Sequence, residues 1–210
     1  MTIDKDFFRQ VMGQFATGVT VVTTRSQETL AGLTVNSFAS VSLDPPLVLI
    51  CIDLNSMVLP FLRASRTFAV NILTSEQEAL SRCFATTSEE RYEHFCHASY
   101  HIAATGSPII DEVLAFIDCR IVAEYPGGDH VIFLGEVVAM GTDGQATFAS
   151  EADKELSTLI EWHTDKTVEA YIGYSKDQKE PLAYYRSQYR HLARDYQRPS
   201  LAAYYDEDFE

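Results

Sequence analysis

The chain has 210 residues with 46% hydrophobic and 11% aromatic content, which predicts one globular domain over residues 1–210. Its 30 acidic and 16 basic residues give a formal charge of -14, which disfavours nucleic acid and anionic membranes because both bind positive surfaces. No apolar run reaches about 18 residues and the start carries no apolar leader, so the sequence predicts a cytoplasmic protein without a membrane span.

An amphipathic helix is predicted at the start of the chain. Asp4 can cap it and Gly18 can stop it. Its apolar residues recur at helical spacing: Phe7, Phe8, Val11, Met12 and Phe15. Such a helix is expected to pack on a sheet. The β-branched run 19–24 then predicts a strand, and residues 26–29 predict a turn into the next strand.

Residues 34–46 place small polar groups and a rigid turn between two strand patterns. Pro45 and Pro46 each lack an N–H and fix φ, so the chain must leave the ladder and turn sharply into the apolar run 47–52. Four polar residues then lie on a bent strand edge with free backbone groups: Asn36, Ser37, Ser40 and Ser42. Such an edge can hold a planar, hydrogen-bonding ligand, and an ordinary connection between strands is the alternative.

Two helices and a strand are predicted in the middle of the chain. Asn55 or Ser56 can start a short helix that ends near Ser65, and residues 67–73 read as a strand. A capping box that begins at Ser75 predicts the start of a second helix.

Two long strand patterns, 113–125 and 131–140, flank Gly127-Gly128-Asp129-His130. In the first, apolar side chains alternate with polar ones that include Asp118, which predicts one wet face. Strands at this spacing, with helices inserted irregularly, favour a closed antiparallel barrel over a doubly wound fold. The chain contains neither a G-x-G-x-x-G nor a P-loop motif.

The four cysteines, Cys51, Cys83, Cys96 and Cys119, show no C-x-x-C spacing and are interpreted as buried thiols. Residues 94–101 are rich in histidine, so a transition-metal site has to be weighed there together with Cys83. The spacing fits no standard zinc pattern, so a solvated loop is favoured and no metal is predicted.

Four parts of the chain together resemble the flavin reductase-like family. They are Phe15 to Thr23, Thr34 to Pro46, Gly128-Asp129-His130 with Gly135-Glu136-Val137, and Pro181 to Arg186. The likeness runs in order through most of residues 5–142 and again through 181–189. Members of this family are short-chain NAD(P)H:flavin oxidoreductases that supply reduced flavin to two-component monooxygenases.

The resemblance implies a mainly β fold, an FMN-binding split barrel of antiparallel Greek-key type with flanking helices. It implies a homodimer with FMN or FAD at the subunit interface, and NADH or NADPH as hydride donor. The residues that would contact flavin are Thr34, Val35, Asn36, Ser37, Ser40, Val41, Ser42, Cys51, Asp53, Asn55, Ser56, Arg91 and Tyr185. His130 would bind nicotinamide next to Asp129, which is expected mainly to hold the turn. Hydride passes directly between the two rings, so no acid-base residue is nominated.

Several features depart from the family pattern. The segment 143–180 is longer than the turn that the family usually has there, and Ser150 and Asp153 can cap a helix in it. Three roles are open for this segment: a lid over the nicotinamide pocket, a dimer contact or a packed surface helix. Few hydroxyl residues surround the expected flavin phosphate, so an arginine could supply the missing hydrogen-bond donors. The candidates are Arg63, Arg66 and Arg91, and the alternative for each is an ordinary surface position. Ser187 stands where glycine is common in the family. The tyrosines near it, Tyr184, Tyr185 and Tyr189, belong either to the site or to the aromatic core. The chain ends in an acidic stretch, residues 206–210.

Two other functions remain open from the sequence. The same barrel can serve as a flavin-binding electron carrier or sensor that does not accept hydride from nicotinamide. It can also serve as an oxidase that holds its flavin as a prosthetic group and shapes its pocket with the 143–180 segment.

Overall fold

A computed structural model of the chain describes residues 3–142, 145–156 and 179–191. The described helices are α1 (Lys5–Met12), α2 (Leu59–Ser65), α3 (Glu78–Ala85), α4 (Glu89–Tyr92) and α5 (Glu151–Glu155). The strands are β1 (Thr17–Gly18), β2 (Thr20–Ser26), β3 (Thr29–Val35), β4 (Phe38–Leu43), β5 (Pro46–Asp53), β6 (Thr67–Ile72), β7 (Tyr100–Ile102), β8 (Pro108–Ile110), β9 (Ala115–Gly127), β10 (His130–Thr142), β11 (Gln145–Phe148), β12 (Leu182–Tyr185) and β13 (Gln188–His191). Most of the 143–180 segment and the acidic end lie outside the described residues.

The main sheet is antiparallel, in the order β3-β2-β6-β9-β10-β5-β4, and β11 pairs with β10. Its two end strands, β3 and β4, follow one another in the chain with only Asn36 and Ser37 between them. The sheet must therefore curl until its two ends meet at this corner. No ladder joins β3 to β4 in the described residues, so the closed barrel expected from strand spacing is corrected to a split one.

Two hydrophobic cores lie on the two faces of this curled sheet. The inner core fills the barrel with fully buried side chains such as Ile50, Phe68 and Phe133. Gly135 makes room for it, since a Cβ there would lie 2.5 Å from Cζ of Phe68. The outer core contains Phe84 of α3, together with side chains of β8 and β12, packed on the outside of the sheet. This two-layer arrangement confirms the mainly β fold class.

The helix boundaries correct several sequence expectations. The Asp4 carboxylate accepts a hydrogen bond from the Phe7 N–H at 2.7 Å, as predicted, but α1 ends at Met12 with Gly13 as its cap, and Gly18 lies in a strand. The second helix begins at Leu59 rather than near residue 55. The capping box starts at Thr74 and not at Ser75, and a 3-10 turn, Ser75–Gln77, precedes α3. The Ser150 cap of α5 is confirmed.

The apolar face of α1 does not pack on the sheet of its own chain, contrary to the sequence expectation. None of the helix residues is buried, and the five apolar side chains of α1 and the turn after it are all more than half exposed: Phe7, Phe8, Val11, Met12 and Phe15. We call these five residues the α1 apolar face. An exposed apolar stripe of this kind is typical of an interaction surface.

Cys83 and Cys96 form a disulfide, so their interpretation as buried thiols is wrong. The segment between them folds back on α3, where the buried Phe95 ring meets Phe84 edge to face at a centroid distance of 5.1 Å. The histidine-rich stretch is therefore anchored by Cys96 and Phe95, while its three histidines, His94, His97 and His101, are exposed to solvent as expected. Cys119 is buried, while Cys51 is half-buried, and burial raises the pKa of both thiols.

Asp118 on β9 is fully buried, so the polar face predicted for this strand is exposed to solvent only from Arg120 onward. Its carboxylate accepts hydrogen bonds from the Thr105 N–H at 2.8 Å and from the Thr105 hydroxyl at 2.5 Å, which ties the β7–β8 loop to the sheet. Burial raises the pKa of Asp118 from 3.8 to about 6, although these hydrogen bonds and the charge of Arg120 oppose the rise.

An Asp118→Asn variant should show the cost of this buried charge. The folded state holds the carboxyl proton to a higher pH than the unfolded state, so the contribution of Asp118 to stability falls as pH rises from about 4 to about 6. Relative to Asp118→Asn, the wild type should lose up to about 3 kcal/mol of unfolding free energy between pH 4 and pH 7. Denaturant unfolding of both proteins at the two pH values measures this difference, and a difference that stays constant contradicts the prediction.

None of the described helices combines the length and the apolar character needed to cross a lipid bilayer.

Candidate functional site

The turn between β4 and β5 has the form that the sequence predicts. Leu43 pairs with Pro46, so Asp44 and Pro45 make a two-residue turn with a cis peptide bond between them. The ladder between the strands shifts register between Ser40 and Ser42, which marks a β-bulge and bends β4. Because β4 is the last strand of the sheet, one of its edges keeps unpaired backbone donors and acceptors.

The β4 edge, residues 36–42, presents several polar and apolar groups to solvent. Asn36 and Ser40 are exposed, and within the described part of the chain their side chains have no hydrogen-bond partner. Val41 at the bulge is 48% exposed. The Ser42 hydroxyl accepts from the Asp44 N–H at 3.2 Å. The edge is therefore fixed in shape by its own turn, while Asn36 and Ser40 remain available to a ligand.

Three other predicted flavin contacts use their side chains inside the protein. The Thr34 hydroxyl donates to the Ser81 carbonyl at 2.7 Å, and Val35 packs against the inner core. Ser37 donates to the Cys51 carbonyl at 2.9 Å and its own carbonyl accepts from the Cys51 N–H. These bonds hold the β3–β4 corner against the end of β5.

The structure places His130 beside this corner, which the sequence does not reveal. His130 pairs with Asp53 across the β10–β5 ladder, and the Asp129 carbonyl accepts from the Leu54 N–H at 3.0 Å. The Asp53 carboxylate in turn accepts from the Asn55 N–H at 2.7 Å. Ser37 lies opposite Cys51, two residues from Asp53 along β5. With neighbouring strands about 4.8 Å apart and a rise of about 3.4 Å per residue, the end of β10 and the corner at Ser37 are separated by about 12 Å.

The His130 ring is oriented by its neighbour. Its Nδ1 lies 2.8 Å from Oδ1 of Asp129, and the His130 hydrogen bond and charge lower the pKa of that carboxyl. Asp129 thus contacts the imidazole itself in addition to shaping the turn. Nε2 has no partner in the described residues, so it is the ring nitrogen left for a ligand.

A small cavity of about 280 Å³ opens next to His130. Leu54 and the half-exposed Tyr125 supply apolar surface to it, and an ion pair between Arg63 and Glu124 supplies charge, with Arg63 Nε 3.0 Å from the carboxylate. This volume suits a single ring system rather than a whole dinucleotide.

The three arginines that the sequence offers as ligands of the flavin phosphate lie in different environments. Arg63 is neutralised by Glu124, and Arg66 donates to the Ile121 carbonyl at 2.9 Å. Arg91 is buried on the β3 side, where its Nε donates to the Gly32 carbonyl at 2.9 Å and burial lowers the pKa of its guanidinium. Arg91 has no carboxylate partner among the described residues. The structure does not bring it into contact with Asn55 or with Ser56, whose hydroxyl accepts from the Val58 N–H.

The closing motif packs on α3. Tyr184 and Tyr189 meet edge to face at 5.4 Å, and the Tyr189 hydroxyl lies 2.9 Å from the Ser81 hydroxyl. These contacts support core packing for both tyrosines. Tyr185 is half-buried and faces Gln14, which follows α1.

Residues 12–193 match the family model of the flavin reductase like domain. This match covers most of the chain and includes the β4 edge, His130 and the closing motif. The chain belongs to this family.

Known proteins with related sequences and structures agree with this assignment. The reductase subunit HsaB of a flavin-dependent monooxygenase from Mycobacterium tuberculosis is 39% identical over 138 residues, which are 66% of this chain and 72% of that protein. The NADH-dependent FMN reductase SmoA of Agrobacterium fabrum is 42% identical over 131 residues, 62% of this chain and 73% of its own. The NADH:FAD oxidoreductase SgcE6 of Streptomyces globisporus, solved with NAD and FAD fragments, superposes with a TM-score of 0.67 and 34% identity, over 92% of this chain and 95% of that one.

Proposed function

We propose that this chain is a flavin reductase that transfers hydride from NADH to FMN or FAD and supplies the reduced flavin to a partner monooxygenase in the cytoplasm. The observation that carries the proposal is the pairing of an open, polar β4 edge with His130 only two strands away. Family membership and the names of the relatives, which specify NADH, support the same function and favour NADH over NADPH.

The β4 edge would bind the isoalloxazine ring. A flavin presents hydrogen-bonding atoms along one edge and a flat apolar face elsewhere. The exposed Asn36 and Ser40 side chains and the unpaired backbone of β4 supply matching donors and acceptors, while Val41 supplies apolar contact. Thr34 and Val35 would contribute through their backbone, because their side chains are already engaged.

Nicotinamide would enter through the cavity beside His130. The reaction needs its C4 carbon at about 3 to 3.5 Å from flavin N5, with water excluded, and no proton transfer by a side chain. His130 would hold the carboxamide through Nε2 while Asp129 orients the ring. Asn55 and Ser56, which follow β5, would face a phosphate group, whereas the guanidinium of the buried Arg91 is already engaged by the Gly32 and Thr86 carbonyls.

A second copy of the chain would complete the site. The α1 apolar face is exposed, and so is Leu43 at 95% on the turn that ends β4. Exposed apolar surface of this extent marks an interface. The cavity beside His130 has no lining residue from the β4 edge, so it does not cover that edge. A flavin ring on the β4 edge of one chain alone would therefore stay open to water. We therefore propose a homodimer of single-domain subunits, residues 1–210, with flavin between them.

Anaerobic mixing of the protein with free flavin and NADH tests the function. Loss of the absorbance of oxidised flavin, at a flavin concentration well above that of the protein, is expected. NADPH in place of NADH should give slower loss. Flavin that binds without being bleached would indicate the electron carrier or sensor instead. A protein that purifies yellow and ignores both nicotinamides would indicate the oxidase.

A further inference from the structure

The disulfide between Cys83 and Cys96 closes a loop against β3, an end strand of the main sheet. We call residues 84–95 the disulfide loop. The two cysteines are 13 residues apart in the chain, and both are partly exposed to solvent. A thiol pair that solvent can reach can be oxidised and reduced without unfolding of the whole protein.

Two contacts seat the disulfide loop on β3. The Nε of the buried Arg91 donates to the Gly32 carbonyl at 2.9 Å. The rings of Phe84 and Phe95 lie over Gly32, where a Cβ would be 2.8 Å from Cε1 of Phe84 and 3.5 Å from Cε2 of Phe95. Gly32 lies three residues before Val35, the last residue of β3. The loop therefore supports the strand that leads into the β4 edge.

The backbone at the Cys96 end of the loop has an unfavourable conformation. Phe95, Cys96 and His97 all have positive φ angles, of 50°, 53° and 53°. Left-handed backbone is costly for residues with a Cβ, and it persists where the surroundings hold it in place. The disulfide is one anchor, and the buried Phe95 ring between Phe84 and Tyr100 is the other. Opening the disulfide removes one anchor, so the loop is expected to loosen.

The proposed reaction supplies an oxidant for this thiol pair. Free reduced flavin that no partner captures gives two electrons and two protons to dioxygen, which becomes hydrogen peroxide. A cysteine thiolate attacks one peroxide oxygen, the O–O bond breaks, and a sulfenic acid and water are left after proton uptake. The second thiol attacks the sulfenic sulfur, so the S–S bond forms and a second water leaves. Thiol–disulfide exchange with a cellular dithiol reverses the oxidation.

We propose that Cys83 and Cys96 form a reversible redox switch, which peroxide closes and cellular dithiols open. The closed pair holds the disulfide loop on β3 and fixes the corner before the β4 edge. Closure therefore tightens flavin binding, so less reduced flavin is released when it is not being consumed. Disulfides of cytoplasmic proteins are usually transient or redox-sensing, which agrees with this role. The source of the peroxide and the effect on flavin rest on the proposed function, whereas the hold on the loop does not.

Counting free thiols tests whether the pair switches. Alkylation after unfolding should label all four cysteines in protein treated with dithiothreitol and only two in protein treated with peroxide, with a peptide that joins Cys83 to Cys96. Cys51 and Cys119 should stay reduced, because burial raises the pKa of both thiols and the thiolate is the reactive form. Four labelled cysteines after peroxide, or two after dithiothreitol under native conditions, would overturn the switch.

Turnover with NADH and flavin in air tests the source of the oxidant. Turnover should close the pair in protein that starts reduced, and added catalase should prevent the closure. A pair that added peroxide closes but turnover leaves open would overturn the flavin reaction as the source of the oxidant. Closure that catalase does not prevent would overturn peroxide as the oxidant.

Limited digestion with trypsin tests the hold on the loop without any flavin. Trypsin cleaves after Arg91 only when its guanidinium leaves the Gly32 carbonyl, so cleavage there should be at least about tenfold faster in the reduced protein. Cys83→Ser should show the fast rate with or without peroxide. Cys119→Ala keeps the pair, so this matched control should respond to peroxide as the wild type does. Equal cleavage rates in oxidised and reduced wild type would overturn the hold.

Flavin titration of the two forms tests the effect on the site. The dissociation constant of flavin should be at least about fivefold lower for the oxidised wild type than for the reduced one, because closure raises the fraction of molecules with an ordered corner. Cys83→Ser should match the reduced wild type under both conditions. Equal dissociation constants would overturn the effect on flavin. Absence of binding by both forms would contradict the proposed function instead, whatever the result with trypsin.

Discussion

Replacing His130 by alanine should lower kcat/KM for NADH by about 10- to 100-fold while changing the dissociation constant of flavin less than about threefold. The reason is geometric. Nε2 of His130 has no partner among the described residues, and His130 lines the cavity; in the proposed site, the variant removes the contact that would set the distance between nicotinamide and flavin. Steady-state kinetics with NADH, together with quenching of flavin fluorescence on binding, separate the two effects.

His101→Ala is a matched control for this experiment. His101 is also partly exposed, and its Nδ1 lies 2.6 Å from an Asp111 carboxylate oxygen, so the two histidines have similar local chemistry. It lies on β7, outside the main sheet. We expect near wild-type kinetics from His101→Ala. Equal kcat/KM values for His130→Ala and wild type would remove His130 from the nicotinamide site.

A Phe8→Asp variant should dissociate the proposed homodimer and weaken flavin binding by about 100-fold or more. Phe8 is 56% exposed in a single chain and lies in the middle of the α1 apolar face. A carboxylate there would have to be buried without a partner if the interface formed, and this costs several kcal/mol. Sedimentation should show the wild type at twice the 23.6 kDa chain mass and the variant at the monomer mass.

Lys5→Glu on the same helix is the control for charge. Lys5 is exposed in the first turn of α1, where an acidic residue is well tolerated, so this variant should remain dimeric. Dimeric Phe8→Asp would show that the α1 apolar face is not the interface. A monomeric wild type that still reduces flavin would contradict the proposed role of the second copy.

Local rules were sufficient for three features whose residues lie close together in the chain, although they misplaced several helix boundaries. The cap at Asp4, the turn at Pro45 and the hairpin that carries His130 each follow from a few adjacent residues, and the structure confirms all three. The polar corner at Asn36 and Ser37 was also predictable, because the bent edge comes from the nearby prolines and small residues.

Features that depend on distant residues were not predictable in this way. Cys83 and Cys96 meet only because the segment between them folds back on α3, and their spacing alone carries no such signal. Asp118 follows the alternation of an exposed face, yet the β7–β8 loop covers it. The ladder pair of His130 and Asp53 joins residues far apart in sequence, and only the strand order shows that the His130 turn lies beside the end of β5.

The outward α1 apolar face shows a third limit. Its pattern correctly predicts an amphipathic helix, but a pattern does not say which molecule covers the apolar stripe. The expectation of a sheet partner in the same chain was the ordinary choice for a helix of this kind. The exposure of five large side chains redirects that expectation to a second copy.

Equilibrium titration of FAD and FMN, followed by flavin fluorescence in the wild type and in a Ser40→Trp variant, tests the placement of the flavin ring most directly. Ser40 is exposed on β4 next to the bulge, so an indole there would occupy the surface on which the ring should lie. We predict saturable binding by the wild type and affinity at least about 30-fold weaker in Ser40→Trp. No binding by the wild type, or undiminished binding by Ser40→Trp, would contradict a flavin site on the β4 edge.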